Sequence, residues 1–113
     1  MRFRLVLDIG SKREFRVAFY HGVDAQGRLV PVNLTGATVT FFLVDGDWQV
    51  LGSSAGSVVD AVGGVCAFQL PASLTAGLSP GDYIGQFRIV WSSDQQNPMR
   101  INGLVRLVGG AVP

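Results

Sequence analysis

The sequence predicts an all-β chain, an immunoglobulin-like Greek-key β-sandwich of seven to eight strands with one short helical crossover turn. Three observations predict it. Apolar residues recur at every second position in segment after segment, the signature of half-buried strands. Turn residues punctuate those segments at intervals of about eight to twelve. The 113 residues suit one domain, assigned to 1–108 with a C-terminal tail at 109–113. A small closed barrel fits the same pattern and is the competing architecture.

In RFRLVLDI (2–9), Phe3, Leu5 and Leu7 alternate with Arg2, Arg4 and Val6. In EFRVAFY (14–20), Phe15, Val17 and Phe19 point one way while Glu14, Arg16 and Ala18 point the other. GATVTFFLV (36–44) places Ala37, Val39, Phe41 and Leu43 on one face and Thr38, Thr40 and Phe42 on the opposite one. Shorter strands are expected at WQVL (48–51), GSVVDAV (56–62) and VCAFQL (65–70). DYIGQFRIVW (82–91) and MRINGLVRLV (99–108) form a long pair. β-Branched and aromatic residues dominate these segments, as a pleated, half-buried surface favours. Between them lie turn signals: Gly10-Ser11, DAQGR (24–28), DGD (45–47), Gly63-Gly64, SPGD (79–82) and SDQQNP (93–98). Only ASLTAGL (72–78) looks helical, and it is too short to be stable alone, so it reads as a single turn crossing between sheets.

The crossover leads into LSPGDY (78–83), which has the makings of an inter-sheet corner. Leu78 packs under it, Pro80 and Gly81 suit the two central positions of a type II turn, and Tyr83 is the expected corner residue. In Greek-key sandwiches such a tyrosine hydroxyl bonds back to backbone a few residues upstream, while its ring buries apolar area.

Composition narrows the functional classes. Hydrophobic residues make up 48% and charged residues 15%, which excludes intrinsic disorder. The formal net charge of +1 lacks the basic excess of a nucleic-acid binder, and the local group Lys12, Arg13 and Arg16 beside Glu14 reads as a solvated turn. No stretch approaches the roughly 20 apolar residues that span a bilayer, and charged residues interrupt the N-terminal run, which reads as a strand and not as a signal peptide. The expected partners thus include neither nucleic acid nor membrane.

No catalytic, cofactor-binding or metal-ligating constellation emerges. The single Cys66 lies in an apolar run and reads as a small buried hydrophobe; the single His21 follows VAFY at an expected turn. Asp45 and Asp47 match only the start of a calcium loop, since Val50, Leu51 and Gly52 follow, and a hairpin turn is the simpler reading. Asp82 and Asp94 flank one predicted strand, too far apart to serve one substrate as acid and base.

Three stretches in fixed order, GSKREFRVAF (10–19), DAQGRLVPVNLTGATVTFFL (24–43) and LPASLTAGLSPGDYIGQFRIVWSSD (70–94), carry a family resemblance. Together they resemble the immunoglobulin-like domain at the N-terminus of tailed-phage baseplate upper proteins and related phage tail components. The resemblance covers about residues 5–108, with Asn33 where that family usually has aspartate and Ser11-Lys12-Arg13 where it has an acidic turn. It implies a non-enzymatic virion structural protein, assembled in the host cytoplasm into the tail or baseplate. The implied partners are other virion proteins and copies of itself, in a homo-oligomer within the particle. Capsid decoration on the phage head is the alternative in the same setting, and a carbohydrate-binding adhesion module is the alternative from another class. The candidate partner contacts are Trp48, Phe42 and Tyr20: Trp48 sits beside a charged turn, and Phe42 lies opposite the core-facing Phe41. Trp91 keeps the register of Tyr83, Phe87 and Ile89 and reads as core.

Overall fold

The computed structural model describes residues 3–109, the side chains of 94–96 excepted. Of the expected tail, residues 110–113 therefore lie outside the described residues. The strands run in the order β1 (Arg4–Asp8), β2 (Arg13–Ala18), β3 (Tyr20–Val23), β4 (Leu29–Pro31), β5 (Ala37–Val44), β6 (Val50–Ala55), β7 (Ser57–Asp60), β8 (Val65–Leu70), β9 (Gly81–Trp91) and β10 (Asp94–Val108). One 3-10 turn, Ala72–Leu74, stands between β8 and β9.

Two sheets form the sandwich. One has five strands in the order β1-β10-β9-β5-β6, the other three in the order β2-β8-β7, and β3 pairs with β4 as a separate hairpin. The two sandwich sheets thus hold eight strands. All pairings are antiparallel except β1 with β10, which is parallel. The chain changes sheets after β1, returns at β5, leaves again between β6 and β7, and comes back through the 3-10 turn into β9. The architecture is the all-β, immunoglobulin-like sandwich that the alternation predicts.

Inward side chains follow the expected period. Leu7, Val39, Phe41, Leu43, Cys66, Phe68, Leu70, Phe87, Ile89, Ile101, Val105 and Leu107 are buried between the layers, and Phe3, Phe15, Val17 and Ala37 pack against them. Phe87 is the hub of the core. Its ring lies 4.8 Å from Phe3, 5.1 Å from Phe68, 5.2 Å from Phe41 and 5.4 Å from Phe19, mostly tilted or edge-on. Those are the geometries aromatic rings prefer, and each buried phenylalanine contributes about 1.5–3 kcal/mol from area alone. Of the seven phenylalanines only Phe42 stays out of this cluster.

Four local expectations need correction. WQVL was expected as a strand, but the strand is Val50–Ala55 and Trp48 belongs to the turn before it. Strand β7 ends at Asp60, short of Val62, because the Asp60 carboxylate accepts from Gly63 N at 2.9 Å and fixes the turn there. His21 was expected at a turn, yet it lies in β3. The stretch 93–98 was expected as a turn, yet β10 already starts at Asp94, with a register shift between Asp94 and Met99.

Candidate functional site

The corner that closes the crossover is built around Tyr83. Its hydroxyl donates to the Ser79 carbonyl at 2.8 Å while the half-buried ring packs against the core, as does Leu78. Pro80 precedes β9, and Gly81 opens it with φ of +150°. A type II turn needs about +80° at that position, so the chain enters the strand directly from Pro80 instead of through that turn. The corner positions the start of β9.

The outer face of the five-stranded sheet carries the polar and aromatic groups. Register sets Arg100 opposite Arg88, Asn102 opposite Gln86, Leu104 opposite Ile84 and Arg106 opposite Asp82 across β10 and β9. On one side Phe42 of β5 faces Gln86, and on the other Arg4 of β1 faces Leu104. The Arg88 guanidinium lies over the Phe42 ring, 4.7 Å from its centroid, and reaches Gln86 Oε1 only at 3.5 Å. Its Nε is buried without a hydrogen-bond partner. Gln86 Nε2 donates to Asn102 Oδ1 at 2.9 Å, and Arg106 Nε donates to Asp82 Oδ1 at 3.0 Å. That bond, and the charges of Arg106 and Arg4 beside it, hold the Asp82 carboxyl below its ordinary value of 3.8 against a smaller cost of desolvation.

Trp48 stands at one rim of this face. The turn Asp45–Gln49 is tied by Asp45 Oδ1, which accepts from the backbone N–H of Asp47 and of Gln49, each at 2.9 Å. Backbone bonds from Trp48 N to Asp45 O and from Asp45 N to Gln49 O complete it. Among the described residues Trp48 is the one non-glycine residue with positive φ, at 62°, and it is 60% exposed. It lines a groove of about 370 Å³ with Phe3, Tyr83, Ile84, Asn102, Gly103 and Leu104. Asp45 and Asp47 thus build a hairpin turn; among the described residues no three metal-ligating side chains cluster.

The structure therefore brings Phe42 and Trp48 to one sheet face, while Tyr20 sits half-buried on β3, paired with Pro31 in the separate hairpin. Trp91 packs against the core and donates its indole N–H to Asn33 O at 2.9 Å. Cys66 is fully buried in β8, where burial pushes its thiol pKa up, and His21 is exposed on β3. A protonated thiol inside a packed layer has no nucleophilic role open to it. Lys12, Arg13, Glu14 and Arg16 are all exposed, at and before the outer edge strand β2.

Arg88, Arg100 and Arg4 were not singled out from sequence. The signal was present as arginines at alternating positions of predicted strands, but which of them meet depends on strand pairing, which alternation does not specify.

No family model matches the chain, and no curated protein matches it. Among solved structures it is similar to CopC from Methylosinus trichosporium OB3b, at 10% identity and a TM-score of 0.51, over 97% of this chain and 88% of that one. This likeness is one of fold. A family 123 glycoside hydrolase from Clostridium perfringens also aligns, at 8% identity and a TM-score of 0.41, over 99% of this chain and 23% of the enzyme.

Proposed function

We propose that this chain is a non-enzymatic structural module of a phage virion, assembled into the tail or baseplate through protein–protein contacts with copies of itself and with neighbouring virion proteins. The virion setting rests on the sequence resemblance over residues 5–108. One observation carries the assembly reading: the lateral side formed by β6 and β7. Both are terminal strands of their sheets, and they follow each other through Gly56. Along that side Val50 is 58% exposed and Val62 70%, with Leu51, Val58 and Val59 exposed between them.

An open strand edge presents unpaired backbone donors and acceptors to any passing strand. Proteins that remain monomeric usually blunt such edges with lysine, proline or inward charge. Between Val50 and Asp60 there is no lysine, arginine or proline, and the Asp60 carboxylate is occupied by the Gly63 N–H. An edge that is apolar and unguarded suits strand addition by a partner, in which main-chain bonds give affinity and alternate side chains give specificity. A twofold pairing of two such edges is self-complementary.

Sedimentation of the purified chain tests the reading. Concentration-dependent oligomers are expected, and Val59→Lys on the exposed edge should abolish them with the far-UV spectrum unchanged. A chain that stays monomeric at high concentration and captures no virion protein would sink the proposal. Mass spectrometry of separated tails and heads tests the setting, with the chain expected in the tail fraction.

A further inference from the structure

We propose that the outer face of the five-stranded sheet docks an acidic segment of a partner protein, its apolar side chain seated against Trp48, Ile84 and Leu104 and its carboxylate on Arg88 and Arg100. The inference rests on reading the chain as a protein-binding module and names the chemistry of one partner.

The arginine pair is the first support. Arg88 and Arg100 are direct cross-strand neighbours, and like charges so placed destabilise a sheet. Among the described residues the ion pairs are Arg28–Asp24 and Arg106–Asp82, so neither guanidinium of this pair has a carboxylate. Arg88 moreover stands over Phe42, 4.7 Å from the ring centroid, with its Nε buried and unpaired, so the guanidinium is already seated on this face. A carboxylate bridging the two would remove the repulsion and meet donors already in place, the situation in which arginine binds carboxylates best.

Trp48 is the second, independent support. The turn Asp24–Arg28 has the same hydrogen bonds as Asp45–Gln49: Asp24 Oδ1 accepts from Gln26 N and Arg28 N at 2.9 Å, and Asp24 N donates to Arg28 O. The position equivalent to Trp48 is Gly27, with φ of 79°. A left-handed backbone costs a bulky residue about 1–2 kcal/mol and glycine nothing. Tryptophan at this site therefore carries strain that the turn itself does not require, and it displays an indole beside an apolar groove. Exposed tryptophan and arginine are the residues most enriched among energetic anchors of protein interfaces.

Spacing defines the occupant. Ile84 and Arg88 are four residues apart on β9, about 13 Å along an extended strand. A partner segment in extended form with an apolar residue and an acidic residue four apart presents both to this face, with its middle side chain over the Gln86–Asn102 amide pair. The face holds four arginines, Arg4, Arg88, Arg100 and Arg106, against Asp82, with Asp8 at the far end of β1. An apolar strip and a neutral amide pair divide them, unlike the continuous basic stripe that tracks nucleic-acid phosphates.

The probe is a fluorescein-labelled extended peptide with leucine and glutamate four residues apart, titrated by anisotropy at low and high salt. Binding is expected to weaken with salt and to fall about tenfold or more both in Trp48→Gly and in Arg100→Glu. Trp48→Gly installs the residue that the Gly27 turn already uses, so its fold is safeguarded. Arg28→Ala, on the other turn, should bind as the parent does. Absence of binding by the parent chain, equal binding by either of the two face variants, equal binding of a lysine-for-glutamate peptide, or tighter binding of heparin or single-stranded DNA would each overturn the proposal. Oligomers that persist while the peptide fails to bind would defeat this inference alone and leave the assembly reading standing.

Discussion

The chain builds one five-residue turn twice and fills its strained position differently each time. At Asp24–Arg28 and at Asp45–Gln49 the opening aspartate accepts two backbone N–H groups, and the fourth residue takes a left-handed conformation. Glycine holds that position in the first turn and tryptophan in the second. Since the hydrogen bonds are the same, the turn is specified by the aspartate and tolerates whatever sits in the left-handed site. The first copy shows what folding asks for; the second shows what is added to it. The difference locates a residue kept for contact in preference to stability.

The aspartates should show the largest effect. Asp45→Ala removes two acceptor bonds that organise the β5–β6 hairpin and is expected to cost about 1–2 kcal/mol in denaturant unfolding. Asp24→Ala should cost a similar amount, less whatever the shorter hairpin β3–β4 contributes to the fold. If one aspartate proved silent and the other did not, the equivalence of the two turns would fail. The reciprocal swap comes next. Gly27→Trp is expected to lose about 1–2 kcal/mol, because it imports the left-handed penalty into a turn without it. Trp48→Gly should gain up to about 1 kcal/mol, with glycine's greater chain entropy offsetting part of the relief. A loss of stability in Trp48→Gly, measured by the same unfolding curves, would mean that the indole supports the fold and would remove the contrast.

The two turns also mark where sequence reading succeeds and where it stops. DAQGR was legible as a turn because Gly27 announces the left-handed site. In DGDWQ the same site carries Trp48, and the apolar run WQVL draws a strand assignment two residues too early. The strand then continues through Ser53, Ser54 and Ala55, whose side chains give little β signal, and only pairing with β5 holds them extended. Strands β5, β8 and β9 were legible because one face of each is buried, which enforces strict alternation. β3 and β4 were not, being four and three residues long and nearly all exposed. Trp48 and Phe42 could be nominated from their surroundings in the chain. The arginines around them could not, since Arg88 and Arg100 become neighbours only through the β9–β10 register.

A third aspartate gives the smallest expected effect and sharpens what the other two do. Asp24 and Asp45 hold backbone, whereas Asp82 holds a side chain, receiving Arg106 Nε at 3.0 Å on the open sheet face. Its pKa is lowered from 3.8, first by that hydrogen bond, against a smaller desolvation cost, and then by the charges of Arg106 and Arg4. A carboxyl with a lower pKa folded than unfolded stabilises the fold fully above the unfolded value and loses that contribution as pH falls through the folded one. Stability from this pair is thus present above pH 3.8 and drains away below it. Exposure and salt keep the effect small, because the pair is open to solvent and holds two long side chains in one geometry. Arg106→Ala should flatten the acid limb of the stability curve slightly and leave the midpoint at neutral pH nearly unmoved. A drop at neutral pH as large as that of Asp45→Ala would show that a side-chain pair on this face holds the fold as strongly as a backbone-capping aspartate, and the distinction between the two kinds of aspartate would fall.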